Sequence, residues 1–100
     1  MINKNDILQY LKENKELFTK QYNVVRIGIF GSFARNEQTE NSDIDILISM
    51  DENTEDIFDK RIALKQLISH HFSKPVDVCH EKSLKSVFKE HIIKEVIYVK

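Results

Sequence analysis

The sequence predicts an α/β (α+β) domain built on a small mixed sheet. Three observations carry this. Three short β-branched runs, 24–30, 43–50 and 75–80, alternate with segments of helical periodicity. The run between the second and third strands, residues 51–74, is long enough for a helical crossover, which a parallel neighbour requires. Gly31-Ser32 at the end of the first strand can meet Asp43 and Asp45 at the start of the second only if those two strands run antiparallel. The simplest sheet is ordered 1-2-3, with strands 1 and 2 antiparallel, strands 2 and 3 parallel, and helices covering it.

The elements follow in order. "NKNDILQYLKENKELFTKQY" sets Ile7, Leu8, Leu11 and Phe18 on one helical stripe, with Asn3 or Asn5 as N-cap. "VVRIGIF" is a buried strand ended by Gly31, and "SFARNEQ" is a helix of one or two turns before the loop "TENS". In "DIDILISM", Ile44, Ile46 and Ile48 face one side of the strand, while Asp43, Asp45 and Leu47 face the other. "DENTEDIFDKRIALKQLISHHF" is a helix capped by Asn53 or Thr54, with acids in its first turn and histidines in its last, as the helix dipole favours. "PVDVCH" is the third strand. "SLKSVFKEHIIKEV" is a helix capped by Ser83 with Leu84, Val87, Phe88 and Ile92 inward, and "VIYV" is a short last strand.

Composition sets the class. One hundred residues, 41% hydrophobic and 31% charged, describe one globular domain over 1–100. A net charge of −1 lacks the basic surplus of a nucleic-acid binder, so no direct nucleic-acid contact is expected. The single cysteine, Cys79, excludes an internal disulfide and fits a reducing cytoplasm. No signal-like start and no apolar run of membrane-spanning length is present, so no membrane association is expected.

The chemistry gathers in "GSFARNEQTENSDIDILI". Residues two apart on a strand share a face, so Asp43 and Asp45 point the same way. Like charges that close repel unless a cation sits between them, and oxygen donors suit Mg²⁺. Gly31-Ser32, at a strand end and a helix start, presents N–H groups and a hydroxyl to an anion. Asp77 sits in an apolar strand and either pairs with a lysine or completes a three-carboxylate metal site. In the 1-2-3 sheet all these groups meet at one end.

G-S-x10-D-x-D with a third Asp on the next strand resembles the nucleotidyltransferase superfamily of DNA polymerase β and kanamycin nucleotidyltransferase. The fuller string resembles the minimal nucleotidyltransferases, and the likeness runs over essentially the whole chain. It implies ATP as donor, Mg²⁺ as cofactor, and transfer of AMP to a hydroxyl. It also implies a HEPN-domain ribonuclease toxin as partner, modified on a tyrosine, with this chain as antitoxin. Asp43, Asp45 and Asp77 are then the catalytic and metal-binding acids, with Gly31, Ser32 and Arg35 on the nucleotide. Two alternatives stand beside this reading: an antitoxin that works by occlusion, and a small-molecule transferase, whose relatives carry a further helical domain. Homo-oligomerisation is left open.

The remaining polar candidates are read as structural. His70 and His71 form a solvated helix end, and His80 lies in an exposed loop. Cys79 shares the face of Asp77 as a small core residue with no lowered pKa. Lys82, Lys85 and Lys89 form a solvated face.

Overall fold

Strand pairing decides where the polar residues meet. A computed structural model describes residues 2–99. It contains β1 (Val24–Phe30), β2 (Ile44–Met50), β3 (Val76–His80) and β4 (Ile97–Tyr98), in the order β3-β2-β1-β4. β1 and β2 are antiparallel, and β2 and β3 are parallel, as the sequence predicts. β4 pairs antiparallel with the outer edge of β1. Gly28 makes that pairing possible, because a Cβ there would lie 2.6 Å from the Ile97 carbonyl oxygen.

One face of the sheet carries the core. Ile27 and Ile29 of β1, Ile44, Ile46 and Ile48 of β2, and Val76 and Val78 of β3 cluster with side chains from four helices. Ile7 and Leu11 come from α1 (Lys4–Glu13), Phe18 from α2 (Lys15–Tyr22), and Leu64 and Ile68 from α4 (Ile57–Phe72), with Phe33 of α3 (Gly31–Ala34) joining them. Each buried aliphatic side chain contributes roughly 1.5–3 kcal/mol, so this face dominates stability. The other face belongs to Asp45, Leu47 and their cross-strand partners.

The expected single helix over 3–22 is two. Asn14 separates them: its side-chain amide donates to the Tyr10 carbonyl at 2.8 Å, competing with helix continuation. Asn3, rather than Asn5, is the N-cap, in a reciprocal box with Asp6.

The helix expected from residue 51 starts only at Ile57, without an Asn53 or Thr54 cap. The Asp51 carboxylate accepts from Asn53 N–H at 2.9 Å, and the Asp51 carbonyl accepts from the Thr54 hydroxyl at 2.5 Å, which holds this stretch in turns. At the far end of α4 His70 and His71 are both exposed, as expected, and the His71 ring stacks on Tyr10 at 3.9 Å between centroids.

The last helix also starts late. Residues Glu81–Ser83 form a 3-10 turn and α5 spans Ser86–Glu95, with Lys85 rather than Ser83 preceding it. Val87 and Phe88 are therefore not inward but 80% and 63% exposed, while Leu84 and Ile92 are half-buried. The cause is Glu81, which is buried and fixed by Arg26 Nη2 at 2.6 Å and by the Tyr98 hydroxyl. That anchor holds the chain against the sheet and leaves the start of α5 outside the core. His80 is likewise buried, not in an exposed loop, and its Nδ1 accepts from Lys82 N–H at 3.1 Å.

Candidate active site

The C-terminal end of β1 and the N-terminal ends of β2 and β3 meet at one edge of the sheet. In the ladders Phe30 is opposite Asp45, and Asp45 is beside Asp77. Asp43 lies one residue before β2 and is exposed. Asp45 is half-buried and Asp77 exposed, so the acids run from the sheet interior toward solvent.

Gly31 turns the chain from β1 into α3 with φ +74, a conformation that L side chains rarely adopt. A Cβ on Gly31 would lie 2.2 Å from Asp45 Oδ2. The glycine thus serves both the turn and the space that Asp45 fills. Ser32 follows, half-buried, and Arg35 ends the short helix.

The electrostatics show how the acids feel one another. The Asp45 carboxyl is pushed up to about 6, first by burial, then by Asp77, Asp43 and Glu95, with Arg35 opposing. The Cys79 thiol is also pushed up, by burial and then by Asp77 and Asp45, and its Sγ lies 4.0 Å from Asp77 Oδ2. It has none of the activation of a nucleophilic thiol. Among the described residues no three His, Cys, Asp or Glu side chains form a ready-made metal cage. The donor set at the sheet edge is oxygen only, which fits a hard divalent cation.

Two features were missed by sequence reasoning. Glu95, at the end of α5, accepts from Gly31 N–H at 2.5 Å and from Arg35 Nη1 at 3.0 and 3.2 Å. The available signal was its place just before "VIYV", once that strand is paired with β1. The second is a groove of roughly 460 Å³ beside Asp77, walled by Ile57, Phe58, Arg61, Cys79 and Leu84. Arg61 Nη1 reaches the Val78 carbonyl at 3.0 Å and its guanidinium lies over the Phe58 ring.

A glycine turn packed on a D-x-D strand, with a third aspartate on the parallel neighbour, is the arrangement expected of a nucleotidyltransferase. The chain belongs to the polymerase beta nucleotidyltransferase family, whose model matches residues 5–100. It is 32% identical over 99 residues to the protein adenylyltransferase MntA of Thermococcus cleftensis, covering 99% of this chain and 98% of that protein. The fold is similar to a solved minimal nucleotidyltransferase, with TM-score 0.78 and 26% identity over 96% of this chain and 95% of the other. It is also similar to a chain in a toxin–antitoxin crystal structure with AMP-PNP, with TM-score 0.68 and 25% identity over 97% and 72%. As a member of this family the chain is a nucleotidyltransferase. Among the described residues no helix is long and apolar enough to cross a membrane.

Proposed function

We propose that this chain, as one domain, is a Mg²⁺-dependent protein adenylyltransferase of the cytoplasm. It moves AMP from ATP to a tyrosine hydroxyl of a HEPN-domain toxin and so acts as the antitoxin. The observation that carries the reading is the placement of Asp45, flanked by Asp77 in the ladder and packed on the Gly31 turn. The named activity of its MntA relative, and the toxin–antitoxin setting of a structural relative, support the acceptor class and partner.

Asp43 and Asp45 would hold the cation, with Asp77 completing the donor set on the groove side. Magnesium, when bound, supplies positive charge to the α-phosphate and to the entering and leaving oxygens. Gly31 gives the phosphates room to approach. Its N–H already serves Glu95, so Ser32, with its amide and hydroxyl, carries the direct contact. The acceptor oxygen bonds to the α-phosphorus as the bond to the bridging β-oxygen breaks. Pyrophosphate keeps that electron pair, and the hydroxyl proton passes to Asp77. The apolar walls of the groove, Ile57, Phe58 and Leu84, suit an aromatic acceptor brought in beside Asp77.

The experiment is a mass measurement. Incubating the chain with ATP, Mg²⁺ and its toxin should add one or more AMP masses to a toxin tyrosine. The double variant Asp43→Asn/Asp45→Asn should add none, yet still associate. A second reading, neutralisation by occlusion, is favoured by the exposed Val87 and Phe88 on α5. It prevails if the double variant protects cells as well as the parent protein and no added mass appears.

A further inference from the structure

We propose that Glu95 is a positioning residue for the nucleotide end of the site. Its carboxylate extends the β1–β4 ladder beyond the strand and holds both the Gly31 turn and Arg35. The inference rests on the nucleotide-transfer reading above.

The β1–β4 register pairs Gly28 with Tyr98 and Ile29 with Ile97. Continued in the same direction, it brings Gly31 opposite Glu95. There the partner chain segment is no longer a strand, because Glu95 is the last residue of α5. The Gly31 N–H that a strand carbonyl would receive goes instead to Glu95 Oε2 at 2.5 Å. Both carboxylate oxygens also take Arg35 Nη1, and His91 Nε2 lies 3.2 Å from Oε1. The Glu95 side chain is 14% exposed, against 44% for Arg35. A largely buried carboxylate therefore ties the end of β1, the end of α3 and the end of α5 together. Arg35 Nε is held as well, by Glu37 at 3.2 Å, while Nη2 takes part in neither contact.

A carboxylate on that amide could instead occupy the place of a phosphate, but the geometry favours support. Asp45 stands on the side of Gly31 toward which a Cβ would project. Glu95 instead meets the Gly31 amide nitrogen, from the C-terminal end of α5. Phosphates drawn to a cation on Asp45 approach from the Asp45 side. Held this way, a long and otherwise mobile arginine is oriented before nucleotide arrives, which removes an ordering cost from binding.

The test uses Glu95→Gln and Glu95→Ala in the full chain, each first checked for folding by a melting curve. Affinity for a non-hydrolysable ATP analogue with Mg²⁺ is measured by calorimetry, and transfer is measured with ATP varied. Both variants should bind the analogue at least about threefold more weakly, with Glu95→Ala the weaker, and KM for ATP should rise in parallel while kcat changes less. The KM for the acceptor should stay unchanged. The Gly31 amide proton resonance should move in Glu95→Ala and be partly retained in Glu95→Gln, which keeps an oxygen acceptor. If Glu95→Ala does not fold, Glu95→Gln decides by the same criterion. Folded variants that bind the analogue within threefold of the parent overturn the proposal. Tighter binding overturns it in favour of a carboxylate standing in the phosphate position. A parent protein that binds no analogue removes the nucleotide reading, and this proposal with it.

Discussion

Gly31 and Asp45 are packed so closely that a single methyl group on the glycine would fall 2.2 Å from the Asp45 carboxylate. Gly31→Ala therefore has two effects. The positive φ costs about 1 kcal/mol or more for any residue with a Cβ, which urea unfolding will show. The displaced Asp45 carboxylate should reduce transfer by about a hundredfold or more, as expected for a misplaced transition-state group. Full activity in folded Gly31→Ala would mean that Asp45 is free to move without consequence, against the proposed role.

Asp45→Asn should stabilise the metal-free protein at pH 7 while lowering transfer by orders of magnitude. Burial and the neighbouring acids push the folded carboxyl up to about 6 from an ordinary 3.8. A raised pKa gives stability that is complete below the ordinary value and is lost as pH rises through the folded one. The parent thus carries a penalty at pH 7 that asparagine lacks, about 1–2 kcal/mol after allowing for screening at a half-buried site. The gap in melting temperature should close between pH 7 and pH 4. A gap that is constant with pH would assign the change to packing.

Glu81 should show the opposite sign. Burial pushes its pKa up, but hydrogen bonds from Arg26 and Tyr98 outweigh that and leave it below its ordinary 4.5. A lowered pKa gives stability that is present above the ordinary value and is lost as pH falls through the folded one. Glu81→Gln should then cost roughly 1–2 kcal/mol at pH 7, with the cost shrinking in acid below the ordinary value. Tyr98, whose hydroxyl is pushed up to about 12 by burial and then by Glu81, should lose a similar amount as Tyr98→Phe. Transfer should persist in both, since Glu81 and Tyr98 lie outside the proposed acidic and phosphate contacts. Equal stability of Glu81→Gln at pH 7 would show that the anchor is not what places the 81–84 segment.

Excess EDTA should abolish transfer without unfolding the chain. Adding Mg²⁺ should raise the melting temperature, because the cation binds only where the sheet has gathered the acids. In Asp43→Asn/Asp45→Asn that rise should vanish. Undiminished transfer in EDTA would remove the metal from the mechanism.

Docking and chemistry should separate by residue. Val87→Asp/Phe88→Asp places charge on the exposed start of α5, so association with the toxin should weaken about tenfold or more while ATP affinity stays unchanged. Pull-down and calorimetry read the two independently. Unaltered association would place the interface elsewhere.

The sequence by itself determined β1, β2 and β3 and how they pair. Alternation in 43–50 separates Asp43, Asp45 and Leu47 from the isoleucines, and the length of 51–74 admits the helical crossover that a parallel β3 needs. These are local consequences of side-chain period and loop length, which a single chain displays directly. Helix starts were less legible. Asp51, Asn53 and Thr54 satisfy backbone groups in turns rather than cap α4, and Glu81 fixes the chain ahead of α5 so that Val87 and Phe88 stay outside. Glu95 was the residue that only the tertiary structure could place. Its role depends on the register of a two-residue strand and on hydrogen bonds it accepts from Gly31 and Arg35, 64 and 60 residues away in sequence. No periodicity records a hydrogen bond of that kind; it exists only after the sheet has closed on β4.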